Sequence, residues 1–242
     1  MTPVALIAGG TGPIGRAVAV ALADEGFRVA VHYRSRPEVA EKVVAGLPGD
    51  HVTVGADLGD PAAISRLGNA VGPVAVLVNA AHPALRTSAP VAETAATDLA
   101  AQLSGVQAHA ALCAQVVPGM RDRGWGRIVY ISGALMSRPA PGLGAYGAAK
   151  AAATVLTRYL ALEEGRHGIT ANVVAPGRVV DPDEDEELTP AQAALSARLL
   201  ERMALPTFPA PAEVAAAVLT LVRSPALTGQ TLWVTGGEPI GG

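Results

Sequence analysis

The chain reads as a doubly wound α/β fold, a parallel sheet with helices on both faces. Three observations predict it. Short apolar runs without polar alternation recur along the 242 residues, as strands covered on both sides require. Longer segments with helical spacing separate them. A glycine-rich turn joins the first run to the first helical segment, where such folds bring free backbone N–H groups to bear on phosphate.

Taken in order, Val4 to Ala8 is the first strand and Ile14 to Glu25 the first helix. Val29 to Val31 follows as a strand, Glu38 to Ala45 as a helix and His51 to Val54 as a strand. Ala62 to Val71 is helical, Val74 to Val78 extended, and a long helix runs from about Ala95 to Met120. Arg127 to Ile131 is a strand, Ala145 to Glu164 a helix and Thr170 to Val174 a strand. A final helix, Pro211 to Val222, leads to a last strand, Gln230 to Val234. The least regular stretch, Gly177 to Pro190, holds the acidic run Asp183 to Glu187. Such a run is read as a solvated segment, or else as part of a lid over a site.

Composition narrows the class. Half the residues are hydrophobic and 16% are charged, which excludes a disordered chain. No apolar run reaches the roughly 20 residues that a bilayer requires. A net charge of −3 argues against nucleic acid or an anionic membrane surface as the main partner. Cys113 is the lone cysteine, so no intrachain disulfide forms. Met1-Thr2-Pro3 carries no basic leader, and a cytoplasmic protein is expected. The only lysines are Lys42 and Lys150.

Gly10, Gly12 and Gly15 fit G-x-G-x-x-G at the strand-to-helix turn. Glycines let the backbone approach a pyrophosphate, and Pro13 suits a helix start although it removes one donor. After the second strand stand Tyr33, Arg34, Ser35 and Arg36, with no acid to accept from a ribose 2′-hydroxyl. Arg34 and Arg36 attract a 2′-phosphate, which favours NADP(H) over NAD(H); the alternative is that they solvate a strand end. Tyr146 and Lys150, four apart in a helical segment, share one face. An ammonium beside a phenol favours the phenolate and lowers its pKa, which suits proton transfer to a substrate oxygen. His32, His51, His109 and His167 show no metal-ligand spacing, and no metal is expected. His109 and Cys113, also four apart, read as an interface or core face.

In these motifs the chain resembles the short-chain dehydrogenase/reductase family, nearest its 3-oxoacyl-thioester-reductase-like branch. The resemblance rests on Ala8 to Gly15, Ala56-Asp57-Leu58, Val78-Asn79-Ala80-Ala81, Arg127 to Ser132, Tyr146 to Lys150, Asn172 to Gly177, and Thr228-Gly229-Gln230 through Gly237. It implies a Rossmann fold with a seven-stranded parallel sheet, a single domain over 1–242 with a substrate lid at about 178–205, and a homotetramer or homodimer. Tyr146 would be the general acid/base, with Lys150 holding the nicotinamide ribose. Asp57 would contact the adenine, and Pro176-Gly177 would border the nicotinamide. The remaining cofactor contacts implied are Gly9, Gly12, Ile14, Gly15, Tyr33, Arg34, Leu58, Asn79, Ala80 and Ala81. Gln230 would lie at a subunit interface.

The departures cluster around the implied chemistry. The family's serine, 13 positions before the tyrosine, falls on Gly133. Ser132 is one residue early and, on an extended strand end, points the other way; Ser137 is another candidate substitute. Losing such a donor costs on the order of 10²–10³ in rate. Gln102 stands where the long helix of the family carries asparagine. Ala81 followed by His82 replaces a glycine, Pro13 replaces another, and Asp181 replaces a threonine. His82 is a candidate replacement donor, or a loop histidine without a role.

Two functions stay open. The first is an NADP(H)-dependent oxidoreductase moving hydride to or from a small carbonyl or alcohol substrate, with Tyr146, Lys150, Ser132 and Gln102 as catalytic candidates. The alternative is a non-redox protein on the same scaffold, such as a pathway auxiliary, a cyclase or isomerase, or a nucleotide-binding regulator. An acyl carrier protein partner would call for a basic patch, for which Arg121, Arg123 and Arg127 are candidates; the alternative is that they are solvated around a turn.

Overall fold

A computed structural model describes residues 2–84, 88–181 and 188–238, with the backbone alone at 191 and 192. Seven parallel strands form one sheet in the order β3-β2-β1-β4-β5-β6-β7. They are β1 (Val4–Ala8), β2 (Arg28–Tyr33), β3 (Val52–Gly55), β4 (Val74–Asn79), β5 (Gly126–Ile131), β6 (Ile169–Pro176) and β7 (Thr231–Val234). Every residue of β1, β4, β5 and β6 is buried, which is why these segments read as unbroken apolar runs.

Period-two alternation sends successive side chains to opposite faces. Leu6, Leu77 and Ile128 pack with Leu67, Leu112 and Met120 on one side. Ile7, Val76, Val78 and Val129 pack with Leu22, Val218 and Leu221 on the other. The first core lies under α3 (Pro61–Val71), α4 (Ala96–Arg123) and α5 (Gly144–Glu164). The second lies under α1 (Pro13–Asp24), α2 (Pro37–Ala45) and α7 (Pro211–Arg223). No helix among the described residues is long and apolar enough to cross a bilayer.

One element was not expected. Residues Pro190–Leu200 form a helix, α6, inside the stretch read from sequence as a lid loop. Among its described side chains only Ser196 and Leu199 are buried, so it carries too narrow an apolar stripe to register as periodicity. The acidic run Asp183 to Glu187 lies outside the described residues.

Arg127 corrects the basic-patch expectation. Its side chain is buried at the start of β5, stacked 4.4 Å from the Trp125 ring centre. It donates to the carbonyls of Val222 at 3.0 Å and Gly126 at 2.8 Å, fastening the end of α7 to the sheet. Arg121 pairs with Glu164, and Arg123 donates to Val74 O at 3.3 Å.

The chain leaves β1 toward β2 on one side, whereas β4 lies on the other. That reversal opens a crevice beyond the carboxyl ends of β1 and β4, the usual ligand position in such sheets. The helix α7 covers the neighbouring strands through Leu221, which is fully buried. Leu221→Ala is expected to lower unfolding free energy by about 2–5 kcal/mol, read from the midpoint of urea denaturation.

Candidate active site

The turn after β1 places backbone against backbone. Gly9 has φ +77°, and a Cβ there would stand 2.7 Å from Ala81 N. A Cβ on Gly15 would strike the Gly9 carbonyl, whereas one on Gly12 meets only Gly9 O at 3.6 Å. Gly12 is the N-cap of α1 with Pro13 following, so the helix starts with free N–H groups beside the turn.

A groove of about 350 Å³ opens over this turn, lined by Gly9, Gly12, Tyr33, Arg34, Arg36, Asp57, Leu58, Ala80, Ala81 and His82 among others. Ile14 and Gly15 begin α1 behind it. Arg36 donates to Thr11 Oγ1 at 3.4 Å and so reaches across to the glycine turn. Asp57 Oδ1 accepts from Gly59 N at 2.9 Å, which shapes the loop at that end. The glycine cradle, the free N–H groups and the arginines fit a phosphate-bearing dinucleotide.

Asn79 ends β4 beneath the groove. Its Oδ1 accepts from Ala81 N at 3.1 Å, and its Nδ2 meets His109 Nδ1 at 3.2 Å. His109 Nε2 in turn meets Thr157 Oγ1 at 3.0 Å, and Thr157 donates to Ala153 O at 2.8 Å. Asn79 can only donate through Nδ2, so His109 carries its proton on Nε2. Burial pushes His109 down to about 4, with the Lys150 charge adding to the effect. His109 and Cys113 are therefore core residues of α4, and burial drives the Cys113 thiol up to about 12.

Tyr146 and Lys150 sit on one face of α5. Lys150 Nζ donates to Ile131 O at 2.9 Å and lies 5.6 Å from the Tyr146 ring centre. The sequence led to an expectation that Lys150 would lower the Tyr146 pKa. The direction is opposite: burial raises the phenol, and burial lowers Lys150 to about 7. Desolvation outweighs the pair because each charged form loses water before it gains a partner.

The extended backbone at Gly133 would aim a Cβ to within 3.4 Å of Tyr146 Oη and 3.9 Å of Pro176 O. Ser132 turns the other way, as strand alternation requires. Its hydroxyl accepts from Thr154 Oγ1 at 3.0 Å and lies 3.4 Å from Lys150 O. Ser137 follows the short turn Ala134–Met136. Gly177, after β6, donates to Val234 O at 2.9 Å, and Glu238 lies beside it in an ion pair with Arg138. Asp181 pairs with Arg16 of α1 at 3.7 Å.

Gln102 is buried in α4 and spends both ends of its amide on the loop after β4. Its Nε2 donates to Ala84 O at 3.1 Å, and its Oε1 accepts from His82 Nε2 at 2.9 Å. His82 meets the Tyr146 ring edge-on at 4.9 Å, which joins the groove to the tyrosine. Its Nδ1 is buried with no hydrogen-bond partner among the described residues. Burial lowers His82 to about 4, so the imidazole is neutral near pH 7.

The family model described as enoyl-(acyl carrier protein) reductase matches residues 9–238. Acetoacetyl-CoA reductase of Rhizobium meliloti (strain 1021) is 33% identical over 98% of this chain and 99% of its own. The chain belongs to the short-chain dehydrogenase/reductase family. Carbonyl reductase family member 4 of Danio rerio is 32% identical over 98% of both chains. Among solved structures of the family's fold, acetoin dehydrogenase YohF from Salmonella typhimurium superimposes with a TM-score of 0.84 at 29% identity, covering 98% of this chain and 96% of that one.

Neither His32 nor Thr157 stands in a motif that marks it in the sequence. A histidine inside the apolar run of β2 was the available signal for the first.

With only Lys42 and Lys150 present, lysine-labelled NMR isolates the buried amine. The Lys150 signal is expected to titrate near pH 7, against an ordinary value of 10.5. Across that window the unfolded chain binds the extra proton, so stability rises with pH. Lys150→Met should abolish that rise, and parallel urea-midpoint curves for the two chains would rule the assignment out.

Proposed function

We propose that the chain is an NADP(H)-dependent reductase or dehydrogenase acting on a small carbonyl or alcohol. One observation carries the reading. The Tyr146 phenol and Lys150 amine share one face of α5, and His82 connects Tyr146 to a glycine-floored groove whose other end bears Arg34 and Arg36. When bound there, the nicotinamide supplies or accepts the hydride.

Each residue has a proposed task. Gly9, Gly12 and the start of α1 with Ile14 and Gly15 hold the pyrophosphate. Arg34 and Arg36 hold the 2′-phosphate, with Tyr33 alongside. Asp57 and Leu58 border the adenine, and Asn79, Ala80, Ala81, Pro176 and Gly177 border the remainder. Two relatives in Arabidopsis thaliana, one named NADPH-dependent aldehyde reductase 2 and one named an NADPH-dependent aldehyde reductase-like protein, each match 73% of the chain, which supports the same cofactor.

Tyr146 moves the proton at the substrate oxygen. Burial keeps its phenol protonated near neutral pH, the state needed to donate during carbonyl reduction. Lys150 holds the nicotinamide ribose and, in its protonated form, stabilises the phenolate left after donation. Ser132 faces Thr154, so Tyr146 is the side-chain donor this reading assigns to the substrate oxygen. Gln102 holds the loop that carries His82.

The reading extends to self-association. Leu103 of α4 and Val155, Leu156, Tyr159 and Leu162 of α5 are exposed apolar side chains, Leu162 at 84%. They supply a surface that a homodimer or homotetramer would cover. A cytoplasmic setting remains a sequence-based expectation.

Calorimetric titration should show NADPH binding more tightly than NADH, and Arg34→Ala should reduce that preference about tenfold. Binding of neither would remove the redox reading. In a carbonyl panel of aldehydes and acetoacetyl thioesters, Tyr146→Phe is expected to lower kcat/KM by about 10²–10⁴. Full activity in that variant would remove Tyr146 from the mechanism.

A further inference from the structure

His32 is the only polar side chain in the interior of β2 that is buried, and it stands between two segments of the groove. Its imidazole Nδ1 accepts from Gly9 N at 3.1 Å. Its Nε2 lies 3.0 Å from Ala56 O, the residue before Asp57. Its own backbone carbonyl accepts from Gly10 N at 2.9 Å. One residue thus takes two consecutive amides of the glycine turn and reaches the loop at the adenine end.

The partners dictate the proton. Gly9 N–H can only donate, so Nδ1 must be bare; Ala56 O can only accept, so Nε2 must carry hydrogen. No other side chain of the common set offers an acceptor and a donor on opposite edges of one rigid ring. A second proton would set Nδ1–H against Gly9 N–H and break that bond.

We propose that His32 is a positioning residue for the dinucleotide, a neutral imidazole pin that holds the glycine turn and the Ala56–Leu58 loop in mutual register. This rests on the reading that the groove takes NADP(H). His32 fixes the Gly9 peptide, and with it the direction of the N–H groups that follow toward phosphate. Burial lowers its pKa, with the Ala56 bond and the Asp57 charge opposing. Asp57 is the acid that faces it, and Arg34 and Arg36 are the cations lining the same groove. Below the ordinary imidazole value of about 6.5, proton uptake releases Gly9.

Three variants of the full chain separate the two bonds. His32→Asn keeps an acceptor near the Nδ1 position, His32→Gln reaches toward Ala56 with its donor, and His32→Leu keeps neither. NADP⁺ titrated at pH 7.5 should bind His32→Asn between wild type and His32→Leu, and His32→Leu about tenfold or more weakly than wild type, with His32→Gln nearer to leucine. Equal affinity in all four chains, or equal loss in the three variants, overturns the pin. Between pH 7.5 and 5.5, wild-type affinity should fall more steeply than that of His32→Asn; the 2′-phosphate titrates in both and cancels in the comparison.

A second readout needs no cofactor. Nitrogen-15 NMR of the free wild type should show His32 as the Nε2–H tautomer, and Gly9 amide exchange should accelerate in His32→Leu but not in His32→Asn. Unchanged exchange in His32→Leu overturns the pin. If wild type binds neither NADP⁺ nor NAD⁺ while the exchange pattern appears, the cofactor reading falls and the pin stands.

Discussion

The structure depends on one close approach, the meeting of the turn after β1 with the loop after β4. Gly9 and Ala81 touch backbone to backbone, and Gly15 lies over the Gly9 carbonyl with no room for a side chain. That contact sets where α1 begins and where the groove has its floor. It also brings Ala81, and so His82, within reach of α4 and α5. A larger residue at Gly9 would push the turn off the loop after β4, and one at Gly15 would push α1 off the turn itself.

The ionisable groups near Tyr146 follow from the same compactness. Lys150 is the buried amine, while His82 and His109 are held neutral at neutral pH by burial, with the Lys150 charge adding to the effect. A cation enclosed by neutral dipoles gains more from a nearby phenolate than it would in water, because little solvent screens the pair. The resting state leans toward neutral phenol and a readily deprotonated amine.

Much of the fold was legible because burial on both faces leaves strong marks: Val4–Ala8 and Val74–Asn79 have almost no polar residue to obscure them. The glycine turn and the Tyr146–Lys150 pair were legible because local spacing carries their geometry. α6 was not, since it rests on the rim with few buried positions. Nor were the roles of His32 and Gln102, whose partners lie 23 residues away at Gly9 and 20 away at His82. The direction of the Tyr146 shift also escaped, because spacing encodes a neighbour but not the water that neighbour displaces. The orientation of Ser132 away from Tyr146 did follow from alternation alone.

Gly133 has a backbone that any residue adopts, with φ −177° and ψ 152°, and a Cβ there would make an ordinary contact with Tyr146 Oη. Sterics therefore do not hold glycine at this position. A glycine codon that ends in a pyrimidine is one base from a serine codon, so a single substitution from such a codon would place a hydroxyl beside the phenol. In evolutionary terms, the space above Tyr146 is the part of this site that can be retuned in one step without disturbing the scaffold.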